Sequence, residues 1–131
     1  MNNGLVLIVD DSPLDLSLLK CTLLALGLND RQIRVTESSK EALWLISKAT
    51  EGEMALVISD QEMPVYTGLE LLAAIRAQAS TSQVPFVLVT SRAKEVEIAS
   101  AVASYELTAC LDKPVCKDKL GQVLVTFCLP Q

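Results

Sequence analysis

The chain has 131 residues, half of them hydrophobic and about a fifth charged, with a formal net charge of −5, the profile of one compact domain with one core. The acidic balance argues against direct nucleic-acid binding, which rests on Lys and Arg neutralising phosphates, and no apolar run approaches the ~20 residues that span a bilayer. There is no histidine, which excludes Ser-His-Asp and Cys-His nucleophile pairs, histidine metal sites and a phosphohistidine carried by this chain.

Met1-Asn2-Asn3-Gly4 carries no side-chain positive charge and runs straight into an apolar segment, so no signal peptide is expected. Leu5 to Asp10 reads as the first strand. Ser12 suits a helix cap and Pro13 a first helical turn; Leu16, Leu19, Leu23 and Leu26 recur at helical spacing, and Gly27 fits a helix stop. Ile33 to Thr36 is a short strand, and Ser39 to about Ala49 a helix carrying Ala42, Leu43, Leu45 and Ile46. Ala55 to Asp60 is the third strand. Gly68 precedes a helical segment, Leu69 to Arg76. Pro85 introduces the strand Phe86 to Thr90, Lys94 to Ser104 is a helix, Leu107 to Leu111 the fifth strand and Val115 to Phe127 the last helix, with Leu120, Val123, Leu124 and Phe127 as its core stripe. Strands alternating with helices imply βαβ units and a parallel sheet. Five units predict a flavodoxin-like doubly wound α/β fold, order 2-1-3-4-5, with helices on both faces and residues 1–131 as a single domain.

Asp10 and Asp11 end the first strand and Asp60 ends the third. If these strands are parallel neighbours, all three carboxylates reach one sheet edge, where ligands bind in open α/β sheets. Such a cluster repels itself unless a cation sits in it, and hard oxygen donors suit Mg²⁺. Cys21, Cys110, Cys116 and Cys128 lack CxxC or metal-ligand spacing and are expected to be buried small hydrophobes. The expected localisation is cytoplasmic.

Strand-Asp10-Asp11, strand-Asp60-Gln61-Glu62-Met63-Pro64, Gly68, strand-Thr90-Ser91 and strand-Lys113-Pro114, in that order, resemble the receiver domain of bacterial response regulators. The resemblance covers essentially the whole chain. It implies Asp60 as the phosphoacceptor, attacking a phosphohistidine of a sensor histidine kinase or phosphotransfer protein. Mg²⁺ (or Mn²⁺) would be held by Asp11, by Asp10 mostly through water, by Asp60 and by the backbone carbonyl of Glu62. Thr90 would hydrogen-bond the phosphoryl group, Lys113 would pair with its oxygens, and Pro114 would follow a cis peptide bond. Three carboxylates and one ammonium leave two net negative charges, which a divalent cation offsets. The output would be a downstream effector or a second copy, met through the fourth helix, fifth strand and last helix. The domain would signal rather than act as an enzyme, without binding nucleic acid or membrane. Beginning at Met1 favours an N-terminal receiver or a whole protein.

Three departures from the family pattern stand out. Cys110 occupies the position of an aromatic that reorients on phosphorylation. Glu62 and Arg92, two beyond Asp60 and Thr90, are variable positions flanking the site, and their opposite charges are expected to pair across its mouth. Tyr66-Thr67 replace an apolar residue and an acid, with no function attached. Simpler roles compete at each position. Asp10 and Asp11 would cap the first helix, Lys113 would be a solvated surface lysine, Thr90-Ser91 would cap a helix, Gly68 would serve the backbone alone, and Met63 and Pro64 would shape a loop. Trp44 is expected to pack on its helix. Rival functions are a non-phosphorylated interaction scaffold, which Cys110 keeps open, and an aspartyl-phosphate phosphatase, which lacks a second Asp two beyond the nucleophile. A nucleotide or flavin module would need a Gly-rich loop where Asp10-Asp11-Ser12-Pro13 stands.

Overall fold

The computed structural model of the protein describes residues 4–95 and 106–128. Strands β1 (Leu5–Val9), β2 (Ile33–Thr36), β3 (Met54–Asp60), β4 (Phe86–Thr90) and β5 (Ala109–Asp112) form one sheet in the order β2-β1-β3-β4-β5, every neighbouring pair parallel. The helices are α1 (Pro13–Ala25), α2 (Ser39–Lys48), α3 (Gly68–Ala77) and α4 (Lys117–Val123). This is the doubly wound topology that the strand–helix alternation predicts.

Period-two alternation sends the two sets of strand side chains to opposite faces. Leu7, Val9, Val57, Phe86 and Leu88 pack with Ala42 and Ile46 of α2 and Leu71, Leu72 and Ile75 of α3. Val6, Ile8, Leu56, Ile58, Val87, Val89 and Leu111 pack with Leu16, Leu19 and Leu23 of α1 and Leu120 of α4. Each buried Val, Leu or Ile side chain contributes about 1.5–3 kcal/mol. With both faces covered, β3 is buried along its whole length, so it reads as a continuous rather than an alternating apolar run.

Local signals set the boundaries near the site. The Ser12 hydroxyl accepts the Asp15 N–H at 3.3 Å, with Pro13 following. Gly27, at φ +103°, ends α1: its N–H reaches the Leu24 carbonyl, and that of Leu28 reaches Leu23, a Schellman stop. β5 begins two residues later than expected, at Ala109; Thr108 already exchanges main-chain and hydroxyl bonds with Phe86 there. The last helix begins at Lys117, not Val115, because residues 113–116 turn the chain away from the sheet edge, and it becomes π-helical over Leu124–Cys128. The helix expected at 94–104 falls mainly outside the described residues; Lys94 and Glu95 are not helical.

Two burial expectations are corrected. Trp44 is 58% exposed, because Ala42 and Ile46, four apart, face the core and position 44 lies between them on the opposite face. Cys21, between Leu19 and Leu23, is exposed for the same reason, and Cys116 is exposed in the loop. Cys110 is half-buried. Cys21, Cys110 and Cys116 are free thiols.

Candidate functional site

The carboxyl ends of β1, β3, β4 and β5 deliver Asp10, Asp60, Thr90 and Lys113 to one edge of the sheet. One carboxylate oxygen from each of Asp10, Asp11 and Asp60 lies within 4.8 Å of the other two. Asp10 and Asp60 are buried, while Asp11 is exposed. Asp10 does not cap α1, the role Ser12 fills; its Oδ1 accepts the Ser12 N–H at 2.9 Å, and its Oδ2 accepts from Lys113 Nζ at 2.9 Å. Lys113 is thus no solvated surface lysine. Its ammonium also meets Asp15 Oδ2 at 2.9 Å and Asp60 Oδ1 at 3.3 Å.

The Asp60 carboxyl is pushed up to about 6 by burial first and then by the charge of Asp10, against which the Lys113 ammonium works. Burial would lower the Lys113 ammonium, but hydrogen bonds to Asp15 and Asp10 and the charges of Asp60 and Asp10 hold it above the ordinary lysine range. An aspartate raised by burial and a neighbouring carboxylate at a strand-end cleft marks a functional-site candidate, and the pocket carries negative charge in excess. Asp15, which the sequence reading passed over, adds to that excess: four carboxylates around one ammonium leave three net negative charges. Its position four residues after Asp11 on the first turn of α1 was visible in the sequence, but an acid there is also the ordinary choice for a helix N-terminus. Three hard oxygen donors in one charge-excess pocket fit Mg²⁺.

Thr90 is fully buried. Its hydroxyl donates to Glu62 Oε1 at 2.9 Å and accepts the Arg92 N–H at 3.0 Å. The expected pairing of Glu62 with Arg92 is therefore corrected. Arg92 Nε reaches Glu95 at 3.0 Å, three residues on and sterically nearer along the chain, while Glu62 turns inward to the Thr90 hydroxyl. Both charges still line one open cavity of about 470 Å³, together with Gln61, Met63, Pro64, Thr67 and Glu95. The Lys113–Pro114 peptide bond is cis. Cys110, in register with Leu88, packs against the core on the α2–α3 side; burial, then Asp112, raises its thiol.

The loop between Asp60 and α3 is fixed from several sides. The Gln61 side chain accepts the Leu69 N–H at 2.9 Å, and the Ser39 hydroxyl donates to the Pro64 carbonyl at 2.6 Å while accepting the Tyr66 N–H at 3.1 Å. Thr67, left without a function on sequence, forms a capping box with Glu70. Gly68 has a steric role: a Cβ there would stand 2.5 Å from the Asp60 carbonyl oxygen and 2.5 Å from a Leu88 methyl.

The response regulator receiver domain family matches residues 6–125. This chain belongs to the response regulator receiver family. A chemotaxis protein CheY homolog of Campylobacter jejuni (strain 81-176) is 32% identical over 125 residues, 92% of each chain. CheY-3 of Vibrio cholerae is 29% identical over the same share. The solved structure of the chemotaxis response regulator CheY4 of Vibrio cholerae, 28% identical, superposes with a TM-score of 0.78 over 95% of this chain and 98% of that one. The receiver domain of a sensor histidine kinase from Pseudomonas aeruginosa PAO1, described with a magnesium ion in its active-site cleft, is 20% identical and shares the fold, TM-score 0.78 over 95% and 96% of the two chains. This receiver is thus a two-component signalling domain with the flavodoxin-like fold, and receivers are signalling domains rather than classical enzymes. No described helix is long and apolar enough to cross a membrane.

Proposed function

We propose that this receiver accepts a phosphoryl group on Asp60 from the phosphohistidine of a sensor histidine kinase or phosphotransfer protein. The observation that carries this reading is the Asp10–Asp11–Asp60 cluster with Lys113 Nζ 3.3 Å from Asp60 Oδ1. A carboxylate oxygen of Asp60 attacks phosphorus, the phosphorus–nitrogen bond breaks, and the departing imidazole nitrogen takes up a proton. Phosphoryl transfer asks a protein mainly for alignment and charge neutralisation. Asp10 aligns Lys113, and Lys113 offers a compact positive charge to the phosphoryl oxygens. Asp11, Asp10, Asp60 and the Glu62 carbonyl would hold Mg²⁺ or Mn²⁺, which supplies the positive charge that this acidic pocket lacks. Thr90 would then donate to the phosphoryl group. The changed surface, built on residues after β4, β5 and α4, would meet an effector protein or a second copy. Residues 1–131 would act as one signalling unit in the cytoplasm, without direct contact to nucleic acid or membrane.

Intact mass after incubation with a small-molecule phosphodonor tests this. One phosphoryl group is expected on the wild type with Mg²⁺, none with the metal chelated and none on Asp60→Asn. A folded wild type that takes no phosphoryl group from small donors or from a cognate phosphohistidine would overturn the reading and leave an interaction scaffold.

A further inference from the structure

We infer that Glu62 is a latch on the switch hydroxyl: its carboxylate holds the Thr90 proton in the unphosphorylated state, and a phosphoryl group must win that proton from it. The inference rests on the phosphoacceptor reading and adds its regulation. A threonine hydroxyl has one proton to give, and a carboxylate can only accept. Here that proton goes to Glu62 Oε1 at 2.9 Å, and the hydroxyl oxygen is already engaged by the Arg92 N–H at 3.0 Å. Thr90 is fully buried and Glu62 is exposed. The hydroxyl therefore has no water to turn to, while the carboxylate, once displaced, swings into the open cavity it already lines beside Arg92. Burial on one side and exposure on the other make the bond a reversible competitor rather than a permanent structural tie.

Glu62 also stands close enough to Asp60 for its charge to raise that carboxyl, so plain repulsion of an incoming anion is the rival account. Repulsion acts whether or not Thr90 has a hydroxyl, whereas the latch acts only through it.

The test is a double-mutant cycle read by the affinity for beryllofluoride, an anionic analogue of the acyl phosphate, with Mg²⁺, followed by fluorine NMR on wild type, Glu62→Ala, Thr90→Val and the double variant. Glu62→Ala is expected to bind roughly threefold to tenfold tighter than wild type, the range of one charge-assisted hydrogen bond partly open to water, and the gain should vanish in the Thr90→Val background. An equal gain in both backgrounds would assign the effect to repulsion and overturn the latch, as would no gain at all. Absence of binding by folded wild type would remove the phosphoacceptor reading and the latch together, which separates that failure from failure of the latch alone.

Discussion

At the residue scale, the site is organised around charge in excess. Lys113 donates hydrogen bonds to Asp10 and Asp15 and forms an ion pair with Asp60, and still Asp60 is held at about 6, because burial and Asp10 outweigh the ammonium. For a carboxyl raised on folding, the sign is definite. The folded protein binds the proton more tightly than the unfolded chain, so ionisation costs stability, fully above about pH 6, and the cost fades as pH falls toward the ordinary aspartate value. With metal chelated, Asp60→Asn should be more stable than wild type by about 1–3 kcal/mol at pH 7.5, at 1.36 kcal/mol for each unit of displacement. The difference should shrink by pH 5. Denaturant midpoints of the two proteins at both values decide it; a difference independent of pH would contradict the raised carboxyl.

Among the elements, the β3–α3 connection packs directly against Asp60. Gly68 opens α3 against the main chain of Asp60, with its own N–H on the Gln61 carbonyl at 3.1 Å. Val65 sits at φ +73°, a conformation that costs a β-branched residue about 1–3 kcal/mol and that the Ser39 bonds to Pro64 and Tyr66 help to impose. Gly68→Ala would drive a methyl into the Asp60 carbonyl and Leu88. Its expected effect is a loss of about 1–3 kcal/mol from overpacking, together with slower phosphorylation, since α3 and Asp60 must move apart. Unfolding and phosphorylation rates measured on the same preparation check both parts; normal values for both would show that the loop yields without moving Asp60.

For the whole molecule, a cation binding only the folded pocket stabilises by mass action, growing with concentration over the dissociation constant. Mg²⁺ should raise the melting temperature of the wild type progressively, and at a hundred times the dissociation constant the gain is about 2.7 kcal/mol. Asp11→Asn should abolish most of that rise while leaving the metal-free protein folded, because Asp11 is exposed and outside both cores. A full Mg²⁺ response in that variant, followed by thermal melts, would place the cation elsewhere.

Strands of four to seven residues, each ending at or beside an acid, a threonine or a lysine and alternating with helical segments, were legible enough to place the parallel sheet and the edge where Asp10, Asp11, Asp60, Thr90 and Lys113 collect. Those features are periodic or terminal, and local chemistry encodes them. Tertiary structure alone decided which charge meets which. The partnership of Glu62 with Thr90 rather than Arg92, and of Lys113 with Asp15, joins residues 28 and 98 positions apart. It depends on side-chain reach across a sheet edge, which no spacing along the chain records. The exposure of Trp44 and Cys21 lay between these extremes: their helices were legible, but which face turned inward was settled by Ala42 and Ile46, and by Leu19 and Leu23, finding the sheet. Burial is a property of the packed layers, whereas periodicity belongs to the chain.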